Sequence, residues 1–417
     1  MRIVKLTATI EKKLLSARRQ RDTEAQRVAA DIILDVRKRG DAALSAWVKK
    51  LDGIDLQGKR LWIGENEIRA ARKQVSREFL RALEHAARNV RRVAEQQFPK
   101  SWMMEVEPGV RIGQVVRPID TIGCYIPGGR FALVSTLVMT VVPAKVAGVH
   151  NMQVVCPRPN AALLAAADVL GVKRIARMGG AHAIAALAYG TKRVDRVEKI
   201  FGPGNRFVTA AKQLVSNDCA IDLPAGPTEA IVLAASGNPR WIAADLLAQA
   251  EHAPDAASYL VTTSTKLARM VQTEVMRQLQ QLPATNPAHV SIEHTGAILV
   301  VAPFQAACEF VNRFAPEHLS LPGGGKALLK QLHAVGTVFL GPWAAQPLGD
   351  YASGSNHVLP TGGWARMRGG LSPTDFVKCI SVQSIGRTGF ARLAADVQTL
   401  ARAEGLLAHA NAVEVRR

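Results

Sequence analysis

The chain has 417 residues, with 53 Lys or Arg against 34 Asp or Glu and a net charge of +19. That length exceeds one ordinary core and calls for two or three domains, while 48% apolar and 21% charged residues fit a globular chain rather than a disordered one. There is no apolar run of about 18 residues to span a membrane, no secretory signal, and the five cysteines are scattered without a CxxC, so a cytoplasmic protein without a disulfide framework is expected.

Residues 1–100 read as almost wholly helical, with a break at Gly40–Asp41. The basic stretches RKRGD, KQVSRE and ARNVRRV recur there at helical spacing with acids interspersed, which fits solvated faces of amphipathic helices. A basic chain can also bind nucleic acid, an anionic membrane or a phosphorylated cofactor. No zinc finger, RNP-type aromatic motif or Lys/Arg tail favours nucleic acid, and neither nucleic acid nor membrane is expected as a partner.

From Val115 the texture changes to short apolar runs punctuated by Gly and Pro. VRPIDTIGCYIPGG, NMQVVCP, KRIARMGG, VEKIFGPG and CAIDLPAG read as strands; STLVMTVVPAKVAGV, ALLAAADVLGV, AHAIAALAYGT and NRFVTAAKQLVS read as the helices between them. This alternation predicts a parallel, doubly wound α/β sheet with ligands beyond the carboxyl ends of its strands. A second α/β segment follows, with strands AIVLAA, SYLVTTS and HTGAILVV, and helices WIAADLLAQAEHAP, TKLARMVQTEVMRQLQQL and FQAACEFVNRFAP. The tail after about Leu371, with DFVKCISV and FARLAADVQTLARAEGLLAHANAVEVRR, is predicted to be helical.

Four Gly-rich turns stand at the predicted strand ends: YIPGG (125–129), MGG (178–180), FGPGN (201–205) and PAGPT (224–228). Glycine lets backbone approach a ligand closely, and a following helix N-terminus offers N–H groups to an anion such as a pyrophosphate. None is a GxGxxG, and each alone is equally compatible with plain turn chemistry. Further along, QAEH places Gln249 and His252 three apart, on one helix face, where they could meet at a zinc ion or simply sit in solvent. APEHLSL sets Glu317 beside His318, a general acid/base pair or else a helix-end cap. GDYASGSNHVLPTGG carries Asp350, Asn356 and His357 in a stretch too rich in Gly, Ser and Pro for a core element. EGLLAHANA carries Glu404 and His409 on the terminal helix, which otherwise reads as solvated.

In this order the segments DVRKRGDAAL, YIPGG, PAKVAGV, GGAHAIAALAYGT, FGPGN, AGPTE, QAEH, APEHL, GDYASGSNHVLPT and EGLLAHANA resemble the histidinol dehydrogenase family over nearly the whole chain. The resemblance implies oxidation of L-histidinol through L-histidinal to L-histidine with two NAD and one zinc per subunit. Carried over, Gln249, His252, Asp350 and His409 are the zinc ligands, and Glu317 and His318 the catalytic pair. Thr228, Gln249, His252, His318, Asp350, His357, Glu404 and His409 face substrate, and Tyr125, His182 and Asn205 face NAD. It further implies an intertwined homodimer in which Glu404 and His409 act in the partner's site.

The sequence departs from that pattern at His182, where the family has Gln, at Thr228, where it has Ser, and in a shortened CPRPNAALLAAADVL segment. A dehydrogenase of another small polyol, such as sulfopropanediol, is the nearest alternative, though Glu404 suits a cationic substrate. A basic nucleic-acid- or partner-binding protein on the same scaffold is the distant one. The expected fold is α/β, with two Rossmann-like doubly wound parallel-sheet domains and helical extensions at both ends. Residues 1–20 form the N-terminal extension, 21–121 and 231–370 a first α/β domain with the metal and catalytic residues, 122–230 a second for NAD, and 371–417 the helical tail.

Overall fold

The computed structural model describes residues 1–18, 22–56, 60–128, 133–223 and 226–417. Its strands begin with β1 (Arg2–Lys5), β2 (Trp62–Ile63), β3 (Trp102–Glu107), β4 (Val110–Pro118) and β5 (Thr121–Tyr125). They continue with β6 (Asn151–Val155), β7 (Ile175–Ala176), β8 (Lys199–Phe201), β9 (Ala220–Ile221) and β10 (Glu229–Leu233). The last five are β11 (Ala257–Thr262), β12 (Ala297–Val300), β13 (His318–Leu321), β14 (Thr337–Leu340) and β15 (Val377–Ile385).

Strands joined through helices return in the same direction, so the alternating middle of the chain closes into parallel sheets. One has the order β2-β7-β6-β5-β8-β9, parallel except for the antiparallel β2–β7 pair. The chain leaves β5 outward through β6 and β7, then returns to build β8 and β9 on the other side, which puts the topological switch between β5 and β8. The second sheet repeats the plan as β1-β12-β11-β10-β13-β14, all parallel, with its switch between β10 and β13. Both are covered on two faces, and their strands are accordingly near-continuous apolar runs such as EAIVL, buried throughout. The expected pair of doubly wound sheets is therefore present.

The division of the chain between the sheets differs from the sequence reading in two places. Residues 1–20 are not purely helical, because β1 extends the second sheet by pairing with β12 before the helix Ala8–Ala17 begins. The helical run expected to share a domain with 231–370 packs instead on the first sheet. Ala25, Ala29, Ile32, Leu44 and Val48 join Ala183, Ile184 and Val208 in one core, and Ile68, Leu83 and Val90 join Ile122, Leu137 and Val154 in another. The cause is apolar area: that sheet needs cover on both faces, and the amphipathic helices supply it. The helix Arg77–Gln97 shows the pattern, burying Leu83, Ala86, Val90 and Ala94 while Arg81, Arg88, Arg91 and Arg92 stay exposed. The break at Gly40 is present, with φ +57 between the helices Thr23–Arg39 and Asp41–Trp47.

A third, antiparallel sheet, β15-β4-β3, stands apart. DFVKCISV, expected as helix, is largely the strand β15, because the β-branched Val377, Ile380, Val382 and Ile385 suit a strand and β4 offers it nine paired positions. The terminal segment expected as one helix is two, Arg387–Ala403 and Leu407–Glu414, folded on each other after Gly405 at φ +75. Among the described residues no helix is long and apolar enough to cross a membrane.

Candidate active site

Because β10 and β13 lie side by side with Ala230 opposite His318, the residues just before them are neighbours at the amino ends of these strands. The carboxyl-end expectation applies to the glycine turns of the first sheet, whereas this cluster lies at the amino ends of strands in the second. Glu317 is held there by three groups. Its Oε2 accepts the Thr228 hydroxyl at 2.5 Å and the Glu229 backbone N–H at 3.0 Å, and His318 Nδ1 lies 3.6 Å from it. Behind the pair, Arg18 binds both carboxylate oxygens of Glu229 and the carbonyls of Phe314 and Ala315, and Glu229 Oε1 accepts Gly362 N–H at 3.1 Å. Ala315, at φ +53, ends the helix Phe304–Phe314 and turns the chain into Pro316–Glu317.

The helix Pro239–Ala250 and the turn after it bring in Gln249 and His252. Gln249 donates from Nε2 to Thr228 Oγ1 at 2.7 Å and accepts from the Gln346 side chain. His252 Nδ1 lies 3.0 Å from the Ala248 carbonyl, which fixes the N–H there and leaves Nε2 as a lone-pair donor. Asp350, expected in a loop, sits on the short helix Gln346–Tyr351 with Oδ1 3.8 Å from His318 Nε2, a charge contact too long for a hydrogen bond. His357 Nδ1 donates to the Asp350 carbonyl at 2.8 Å, and its Nε2 lies 3.5 Å from Thr136 Oγ1.

Burial dominates the electrostatics. It raises the Glu317 carboxyl above its ordinary value, opposed by His318, the Thr228 hydroxyl and the Glu229 amide. Burial also disfavours charge on His318, but Glu317 and Asp350 outweigh it and raise that imidazole. His357, with weaker acidic company, is lowered by burial. For Asp350 burial loses to His318, His357 and His252, and its carboxyl is lowered. Burial pushes Glu229 up to about 7 against the pull of Arg18. Both His318 ring nitrogens are buried without a hydrogen-bond partner, at a cost unless something else engages them.

The structure thus gathers Thr228, Gln249, His252, Glu317, His318, Asp350 and His357. It does not bring Glu404 or His409 to them: both are exposed on the terminal helix pair, and no described hydrogen bond or ion pair links either to the cluster. Among the described residues no three His, Cys, Asp or Glu side chains form a metal-sized group. One amide oxygen, one imidazole and one carboxylate, from Gln249, His252 and Asp350, are what a single chain offers to a metal. The set suits a borderline cation such as zinc and leaves a position open.

Tyr125, His182 and Asn205 lie around the switch point of the first sheet. Tyr125 ends β5, its phenol raised by burial and its hydroxyl accepting Gly180 N–H at 3.1 Å. Asn205 caps the helix Arg206–Val215, accepting from Phe207 N–H and Val208 N–H at 3.1 Å each. His182 is fully buried, with Nε2 2.9 Å from Asp52 Oδ2, so it supports the turn from within. Gly202 must be glycine: at φ +112, a Cβ would stand 2.1 Å from the Tyr125 carbonyl oxygen. Gly129 of YIPGG and Pro224 and Ala225 of PAGPT lie outside the described residues. Sequence reasoning missed Asp52, Glu229 and Gln346; only Glu229, next to Thr228 in AGPTE, stood inside a motif already singled out.

A family profile described as histidinol dehydrogenase matches residues 15–417. The histidinol dehydrogenase of Aquifex aeolicus is 44% identical over 95% of this chain and 93% of its own. That of Geobacillus kaustophilus is 45% identical over 94% of each chain. The crystal structure of histidinol dehydrogenase from Elizabethkingia anophelis matches with a TM-score of 0.93, at 36% identity, over 100% of this chain and 98% of that one.

Proposed function

The chain belongs to the histidinol dehydrogenase family, NAD-dependent oxidoreductases of histidine biosynthesis, and on that premise we propose that it oxidises L-histidinol through L-histidinal to L-histidine. The observation that carries this reading is His318, whose two buried nitrogens have no hydrogen-bond partner, so the one without a proton can take one from substrate. In the first oxidation His318 accepts the alcohol proton as hydride leaves for the cofactor. Between the oxidations Glu317, with both described hydrogen bonds on Oε2, uses Oε1 to take a proton from the water that hydrates the aldehyde, while protonated His318 gives its proton to the carbonyl oxygen and is a base again. His318 then accepts the hydrate's hydroxyl proton as the second hydride departs. Thr228 keeps the hydroxyl that orients Glu317 and adds a methyl group to the pocket.

Bound NAD supplies the hydride acceptor, and bound zinc supplies a fixed charge that anchors the substrate's imidazole and amine. The zinc ligands are Gln249, His252 and Asp350 from one chain and the His409 of a second copy. Support comes from the His252 tautomer, held with Nε2 free, and from the position the three donors leave open. Glu404, from the same second copy, accepts a hydrogen bond from the substrate's amine. NAD lies at the β5/β8 switch point of the first sheet.

The partner is a second copy of this chain. The terminal helices leave Leu400 at 65% and Leu407 at 70% exposure, and Trp102, Met103, Met104, Ile380 and Ile385 of the third sheet are exposed too. Exposed apolar residues of this kind are what symmetric oligomers bury. All five cysteines are unpaired, which suits a reducing cytoplasm. Steady-state oxidation of L-histidinol with NAD tests the reading; absence of turnover with zinc supplied would overturn it.

A further inference from the structure

Two buried carboxylates grip the two lips of the cofactor crevice in the same way. After β7, Asp52 Oδ2 accepts the Gly179 backbone N–H at 3.0 Å and lies 2.9 Å from His182 Nε2. After β8, Asp222 Oδ2 accepts the Gly202 backbone N–H at 2.7 Å, and Oδ1 binds the Lys212 ammonium and accepts Leu223 N–H at 2.6 Å. Lys212 Nζ also donates to the Gly202 carbonyl at 2.8 Å, so the pair holds both backbone polar groups of that residue. In each case the basic side chain comes from the helix that starts just past the glycine: His182 from Gly180–Tyr189, Lys212 from Arg206–Val215. All four residues are buried, none above 8% exposure. Tyr125 lies between the lips, taking Gly180 N–H on its hydroxyl while its carbonyl abuts Gly202.

Buried ionic groups are weak stabilisers, since desolvation consumes most of their attraction and an apolar pair of like volume packs as well. Each carboxylate here is aimed at one glycine N–H that no strand or helix can satisfy. With that N–H engaged, each glycine turn is fixed where the chain runs on toward the following helix. We propose that Asp52 and Asp222 are positioning residues of the cofactor crevice, each with its basic partner setting one glycine lip against the dinucleotide. His182 thus acts on the cofactor through Asp52 and the MGG turn. The inference rests on the reading that NAD occupies this crevice.

The test is NADH binding by fluorescence, with KM for NAD and for L-histidinol, in wild type, Asp52→Asn, Asp222→Asn and the double variant Lys212→Met/Asp222→Asn. The double variant removes both charges in case the single one leaves a lone ammonium that prevents folding. Displacement of a lip should weaken NADH binding and raise KM for NAD by on the order of 10- to 100-fold. KM for L-histidinol and zinc content should stay within about twofold, since the catalytic cluster sits on the other sheet. Folded variants that bind NADH as wild type does would overturn the inference, as would loss of folding in every variant, which would mark the pairs as purely structural. Failure of wild type itself to bind NADH would remove the cofactor reading and this inference with it.

Discussion

His318 has the most constrained surroundings of any side chain at the site: an imidazole buried with both nitrogens unpartnered between two acids. Replacing it by Gln should lower kcat by about 10²–10⁴-fold, the usual worth of a general base, with zinc content and NADH affinity retained. Undiminished kcat would assign the proton elsewhere. Although burial alone would lower its pKa, Glu317 and Asp350 raise it. A base works only when deprotonated, so the acid limb of kcat/KM should lie above the ordinary imidazole value. In Glu317→Gln, with one acid neutralised, the limb of the residual rate should move to lower pH; an unmoved limb would contradict the coupling. Glu229 gives a stability test. Burial raises its carboxyl to about 7 in the folded chain, so the folded state binds the extra proton and stability falls as pH rises from the ordinary carboxyl range through about 7. Denaturant titrations of Glu229→Gln should show a flatter dependence across that window, and an unchanged slope would refute the assignment. Gln249 and His252 were legible in the sequence because i, i+3 spacing puts two side chains on one face. Asp52 was not, since its contact with Gly179 spans 127 positions, nor was the Gln346–Gln249 contact, which spans 97.

At the level of elements, the strand–turn–helix rhythm of 115–230 was readable because parallel strands buried on both faces leave apolar runs that Gly and Pro delimit. What misled was the tail. Val377–Ile385 has no buried face of its own, its residues being exposed or half-buried, and it is a strand because β4 is there to pair with it. β1 escaped notice for the same reason, as four residues whose structure comes from a partner almost three hundred positions away. Glu317 and His318 likewise read as a helix end until β10 and β13 are seen side by side. The glycine turns make their own prediction. Gly202→Ala should destabilise the chain by more than about 1 kcal/mol, because it adds both a collision with Tyr125 and a strained φ. An unchanged denaturation midpoint would show that the crevice floor is not as tight as described.

Taken as a whole, the chain is two doubly wound sheets and a third, antiparallel one, with Glu404 and His409 exposed on the terminal helices and not brought to the cluster on the second sheet. Helical spacing alone reads those two as solvated, and only the family resemblance of EGLLAHANA assigns them to a partner's site. Mixing unfolded His318→Ala and His409→Ala chains and refolding them together would reveal a shared site. Half of the dimers formed are mixed and each has one intact site, so about a quarter of wild-type turnover should return from two inactive parents. No recovery would show that His409 does not act across the dimer, and an active His409→Ala parent would place it outside the chemistry. The reaction itself is tested most directly by counting NADH per L-histidinol consumed by the zinc-loaded enzyme. Two NADH with L-histidine as product is the expected result; one NADH, a product that stops at the aldehyde, or no reaction at all would contradict it.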